Sequence, residues 1–148
     1  MSDTPITSFK GTWTRLSNYS LCSVWFDGHI YSSTEHAYQA AKFLDEDKRA
    51  EIRHLATPNQ AKKAGKGPGV REDWEQVKVD IMRQLLEEKF KQEPEKQVLL
   101  ATGDRELVEG NWWGDRFWGQ CPIGEGQNWL GRLLMETRTK IREGKMNE

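Results

Sequence analysis

Leu21–Tyr31 reads LCSVWFDGHIY, and Ser32–Leu44, directly after it, reads SSTEHAYQAAKFL. The fold class turns on the change of period between these two stretches. Asp27-Gly28 stands between arms of large apolar and β-branched residues, the signature of a type I′ hairpin. Beyond it, Ser32 to Glu35 offers cap residues, and Ala37, Ala41 and Leu44 recur at helical spacing. That pattern predicts a helix over about 34–44 and a second stretch to Leu55.

Outward from there the chain is mostly helical. Before the hairpin, Leu16-Ser17-Asn18-Tyr19 reads as an irregular loop. After it, Thr57-Pro58 opens a short helix, with Thr as cap and Pro in the first position, and Gly65 stops it. Trp74, Val77, Ile81, Leu85 and Phe90 mark one face of a third helix, with Glu72 and Asp73 ahead of it to suit the dipole. A fourth starts near Pro94, carries Val98, Leu99 and Leu100, and ends at Gly103. The last runs from Asn128 to Arg142, with Leu130, Leu133, Leu134 and Ile141 inward. Strands and helices do not alternate, which argues against a doubly wound α/β sheet. The expectation is a mainly α fold: one compact domain over 1–148, core about 9–144, with a small antiparallel β-hairpin element.

Composition narrows the function. The 148 residues carry 30% charged side chains and a net charge of −1, so no broad basic face for nucleic acid is advertised. No apolar run approaches the roughly 18 residues of a membrane span, and Met1–Lys10 lacks a signal-peptide pattern. Two cysteines, Cys22 and Cys121, make no disulfide framework. A reduced, cytoplasmic location is therefore expected. Seven Trp beside three Tyr imply something flat to bury or to bind.

At 100° per residue, Glu35, Gln39 and Lys42 fall on one helix face. Two readings stand: a solvated face with an ordinary Glu–Lys contact, or a site wall of acid/base, hydrogen-bonder and amine nucleophile. In the second, Lys42 must be partly buried to depress its pKa. His29, His36 and His54 show no metal-ligand spacing, so no metal is expected. Asn111–Gly119, NWWGDRFWG, sets Trp112, Trp113, Phe117 and Trp118 around Asp115 and Arg116. It reads either as a plug closing the core or as a stacking wall for a base or sugar. Glu109 and Asp115 are the other carboxylates that suit a pairing with Glu35 in glycosidic cleavage. Ala61–Gly69, AKKAGKGPG, lacks the P-loop order and reads as a helix end or as a phosphate contact through Lys62, Lys63 or Lys66. Asn128, in GEGQNWLG, reads as a plain N-cap or as part of an anion site at the helix start.

Seven blocks stand in one order: LSNY at Leu16–Tyr19, STEHAYQAAKF at Ser33–Phe43, EDW at Glu72–Trp74, EEKF at Glu87–Phe90, ATGDRELVEG at Ala101–Gly110, GDRFWG at Gly114–Gly119 and GQNWLGRLLMETR at Gly126–Arg138. Together they resemble the NADAR, or YbiA-like, family over nearly the whole chain. The resemblance implies an N-glycosidase that cleaves the bond between ribose C1 and a nitrogen. One branch of the family acts on phosphorylated ribosylaminopyrimidine intermediates of riboflavin synthesis. Another removes ADP-ribose from guanine bases, chiefly in DNA. Matched by motif, Glu35 resembles a catalytic acid/base, Lys42 an amine proposed to form a Schiff base with ring-opened ribose, and Asp115 a site-lining carboxylate; in the alternative, direct hydrolysis, Glu35 or Asp115 is the catalytic group that activates water. Asn18, Gln39, Trp74 and Trp118 match family positions and resemble site-lining residues; Trp113, in an aromatic insert richer than YbiA-type members carry, and Asn128 are further candidate substrate-binding residues.

No cofactor is implied. The Trp-rich insert favours ADP-ribosylated guanine, in a nucleotide or in DNA, as the substrate of a monomeric repair or antitoxin enzyme. The riboflavin-intermediate activity is the alternative, as a ribosylated small-molecule substrate. A non-catalytic ADP-ribose-binding module and a Trp-based protein-interaction domain are further readings.

Overall fold

A computed structural model describes residues 4–111, 114–121 and 123–146. The fold is mainly α with one two-stranded antiparallel sheet. The chain forms two compact units, Asn18–Lys89 and, from the two ends of the sequence, Met1–Ser17 with Phe90–Glu148.

In the Asn18–Lys89 unit, β1 (Leu21–Phe26) pairs with β2 (His29–Ser33) in the register Phe26 to His29 and Val24 to Tyr31. Asp27 and Gly28 both adopt positive φ, 51° and 87°, as a type I′ turn requires. Val24, Phe26 and Tyr31 are buried, while Trp25 and Ile30 face outward. Four helices follow: α1 (Thr34–Ala41), α2 (Glu46–Arg53), α3 (Pro58–Ala64) and α4 (Trp74–Lys89). Their starts follow local chemistry. Ser33 caps α1 by accepting from the His36 N–H, and Asp45 caps α2 by accepting from Asp47. Thr57 and Gln60 form a reciprocal capping box at α3, with Pro58 in its first turn. Trp74, Ile81, Met82, Leu85 and Leu86 are the buried face of α4.

The predicted helix over 34–44 is shorter than its apolar stripe suggested. It ends at Ala41, because Lys42 O accepts from Arg71 N at 2.7 Å and Phe43 pairs with Val70 in an antiparallel bridge. Leu44, expected on the inner stripe, is exposed. The stretch to Leu55 is a separate helix, α2, held to the hairpin by Arg49. Its Nε donates to Phe43 O at 2.6 Å, its NH1 meets the Asp27 carboxylate at 2.7 Å, and its guanidinium lies 5.3 Å from the centre of the Phe26 ring.

The second unit holds a 3-10 helix (Gly11–Leu16), which the sequence reading did not foresee, α5 (Glu95–Ala101) and α6 (Trp129–Arg142). Leu130, Leu133 and Leu134 are buried as expected, whereas Ile141 is only partly so. Between α5 and α6 the chain makes parallel bridges, Ile6 with Leu107 and Gly110 with Gln120. Glycine is needed here for space: a Cβ on Gly119 would sit 2.2 Å from Glu109 O and 2.3 Å from Asn111 Nδ2. No helix among the described residues is long and apolar enough to cross a membrane.

Candidate active site

The end of the hairpin becomes the start of α1, and this junction builds the site. Ser33 caps the helix, and the Glu35 N–H donates to Asn18 O at 3.1 Å, tying the loop before β1 to the first turn. All eight residues of α1 are buried. The face of Glu35, Gln39 and Lys42 is therefore not a solvated one. Glu35 is 8% exposed and Gln39 4%. Gln39 Nε2 donates to Glu35 Oε2 at 3.2 Å. A carboxylate buried in this way needs such donors, and its place in the first turn of α1 suits the helix dipole.

Lys42 follows the last turn of α1, two turns beyond Glu35. Side chains on a helix lean toward its N-terminus, and Lys42 Nζ accordingly lies over the ring of Tyr38, 5.6 Å from its centre. Tyr38 packs on Trp74 with ring centres 5.2 Å apart. Burial lowers the Lys42 pKa, and the charges of Lys78 and Lys66 lower it further, against the opposing pull of Glu35 and Glu75. The half-buried amine and the buried carboxylate thus feel one another. Tyr19 completes the group: its hydroxyl pKa is pushed up to about 12, first by burial and then by the charge of Glu35.

Asn18, beside Tyr19, donates through Nδ2 to Met82 Sδ at 3.7 Å. Its Oδ1 is buried with no hydrogen-bond partner among the described residues. His36, on the same helix, has a different task. Its Nε2 meets Leu55 O at 3.0 Å and its Nδ1 meets Ser33 Oγ at 2.7 Å, so the ring is fully engaged in the fold.

Asn18, Glu35, Gln39, Lys42 and Trp74 all belong to the Asn18–Lys89 unit, while Asp115, Trp118 and Asn128 belong to the other. Asp115 forms a turn of its own: Oδ1 accepts from Phe117 N at 3.0 Å and Trp118 N at 2.9 Å. Its main chain is clamped by the Asn111 carboxamide. Trp118 is partly exposed and meets Phe117 edge-on, with ring centres 4.9 Å apart. Asn128 precedes α6 with φ of 52°, and its side chain does not cap the helix. It bridges the backbone instead, donating to Leu107 O and accepting from Glu109 N, both at 2.9 Å. Of the two readings of Asn128, a plain N-cap or part of an anion site, its side chain does not supply the first. Trp112 and Trp113 lie outside the described residues. A cavity of about 510 Å³ in this unit is lined among the described residues by Thr7, Val108, Asn111, Gln120 and Cys121, with none of the described candidate site residues.

Tyr19, Tyr38 and Met82 were not singled out by the sequence reading. Tyr38 had a signal, since it stands four residues before Lys42, one helical turn away.

A model of the NADAR domain matches residues 6–142. The chain belongs to the NADAR domain family. It is 41% identical over 128 residues to the N-glycosidase YbiA of Escherichia coli strain K12, covering 84% of this chain and 79% of that protein. A riboflavin biosynthesis protein of Vibrio vulnificus is 38% identical over 131 residues, which are 86% of this chain and 35% of that longer protein. The NMR structure of E. coli YbiA matches the fold with a TM-score of 0.84 at 38% identity, covering 100% of this chain and 90% of that one. With these relatives, the chain is an N-glycosidase of the NADAR family.

Proposed function

We propose that this enzyme cleaves the ribose C1–N bond of N-ribosides with Glu35 as acid/base and Lys42 as nucleophile. The observation that carries the reading is the pairing, on one buried helix face, of a carboxylate with an amine whose pKa burial lowers. A perturbed amine held beside a carboxylate of complementary role is the mark of acid/base and nucleophilic chemistry.

The steps balance. Glu35 in its acid form protonates the ribose ring oxygen, and the C1–O bond opens to give a C1=N iminium. The neutral Lys42 amine adds to C1. The nitrogen of the leaving base takes a proton through Glu35, its bond to C1 breaks, and a C1–Nζ Schiff base remains. Water adds to C1, and loss of Nζ restores Lys42 and frees the ribose aldehyde, which recloses. Tyr19, with its raised pKa, keeps its proton beside Glu35 throughout. The flat base meets the Tyr38–Trp74 pair, and the unpartnered Asn18 Oδ1 accepts from a ribose hydroxyl.

The substrate is a phosphorylated ribosylaminopyrimidine. This choice is supported by the relatives named for riboflavin biosynthesis, in Vibrio vulnificus and in Zea mays, at 38% and 36% identity. ADP-ribosyl guanine is the second reading. It is supported by the indole-rich segment around Asp115, where Phe117 stacks on Trp129 at 6.4 Å. The test is parallel incubation with a ribosylaminouracil phosphate and an ADP-ribosylated guanine oligonucleotide. Release of ribose phosphate is expected. Release of ADP-ribose alone assigns the other branch, and cleavage of neither refutes the reaction.

A further inference from the structure

Gly65 follows α3 with φ of −68° and ψ of −8°, a conformation open to any residue. Its backbone therefore gives no reason for glycine; its surroundings do. A Cβ at this position would fall 1.8 Å from Gln39 Oε1, 2.7 Å from Gln39 Cδ and 3.3 Å from Gln39 Cβ. Carbon contacts settle at roughly 3.5–4.0 Å, so the Gln39 carboxamide occupies the space of the missing side chain. That carboxamide has little freedom elsewhere. Gln39 is 4% exposed, and Nε2 donates to Glu35 Oε2. Of the two ends of the amide only the NH2 can donate to an ionised carboxylate, so this bond fixes which end is which. The Oε1 end then turns toward Gly65 and has no hydrogen-bond partner among the described residues.

We infer that Gly65 is a positioning residue for Glu35: the bare Cα at the end of α3 leaves room for the Gln39 carboxamide, which acts as a strut holding the carboxylate. The inference deepens the proposed reaction and rests on it for the role of Glu35. The strut spans two helices, so α3 sets the aim of a group on α1.

The test is a cycle of four proteins: wild type, G65A, Q39A and G65A/Q39A. The first readout is the carboxyl titration of Glu35 by NMR, with E35Q to assign the signal. Loss of an N–H donor raises a carboxyl pKa. G65A and Q39A should each raise it, and the double variant should go no higher than Q39A. Tyr19 before β1 and Lys42 after α1 interact with Glu35, and Lys66 after α3 with Lys78 and Glu75 on α4 acts on Lys42; all five are unaltered in the four proteins. The second readout is kinetics on ribosylaminouracil phosphate. G65A should lower kcat by about 10²-fold, as expected for a misplacement near 1 Å, with KM nearly unchanged.

An unmoved Glu35 titration in G65A overturns the inference, as do additive shifts in the double variant. If G65A fails to fold, the double variant decides. Folding at the stability of Q39A shows that the constraint runs through Gln39, and failure of both overturns it. The titration needs no turnover, so an inactive wild type refutes the proposed reaction without deciding the strut.

Discussion

Glu35→Gln isolates proton transfer from geometry. The amide is nearly isosteric with the carboxylate, and its oxygen still accepts from Gln39 Nε2, now 3.2 Å from Glu35 Oε2. The bond from the Glu35 N–H to Asn18 O is in the main chain and is untouched. The site should therefore keep its shape. A buried hydrogen bond to a charged acceptor is exchanged for a neutral one, a difference of about 1 kcal/mol. Burying an uncharged group in place of a carboxylate offsets part of it. Stability should thus change by less than about 1 kcal/mol, a shift of roughly 2–4 °C in Tm for a chain of this size. Catalysis should change far more. Removing a positioned acid/base costs 10²–10⁴-fold, or about 3–5 kcal/mol of barrier. The assay is initial-rate release of the pyrimidine base, with KM and substrate-induced Tm shift measured beside it. Loss in kcat with KM near wild type is expected. Turnover within about threefold of wild type, in a folded variant, refutes the acid/base role.

Two other predictions address the surroundings. Arg49→Ala removes a charged hydrogen bond to Phe43 O, a cation–π contact with Phe26 and a pair with the largely exposed Asp27. These sum to about 2–4 kcal/mol, with the exposed pair contributing least; a loss below 1 kcal/mol in denaturant unfolding contradicts the clamp. Tyr19 has a folded pKa of about 12 against an ordinary 10.0. Between these values the folded protein holds a proton that the unfolded chain has released, so stability should fall as pH rises through that window. Tyr19→Phe should flatten the fall, and an unchanged slope contradicts the assignment.

The hairpin and the capping box of α3 were legible because each is written within a few residues: Asp27-Gly28 demands a left-handed turn, and Thr57-Pro58 with Gln60 closes its own cap. The end of α1 was not. Its stop at Ala41 comes from Arg71 and Val70, some 30 residues on, which claim the backbone of Lys42 and Phe43. Asn128 misled for the same reason, since its partners Leu107 and Glu109 are some 20 residues away. Periodicity placed Glu35, Gln39 and Lys42 on one face, but it gives only relative angles. What surrounds that face, Gly65 against Gln39, Trp74 against Tyr38 and Met82 against Asn18, is tertiary. Gly65 shows the limit most clearly. Read as a stop signal, it has right-handed backbone, and its cause is a carboxamide 26 positions earlier.

The most direct test of the account is to add borohydride to the enzyme during turnover of ribosylaminouracil phosphate and map the product by mass spectrometry. A reduced ribose-phosphate adduct on Lys42 is expected, absent in Lys42→Ala, which should also lose turnover. No adduct on Lys42, together with an active Lys42→Ala enzyme, would contradict the Schiff base and point to direct attack by water at C1.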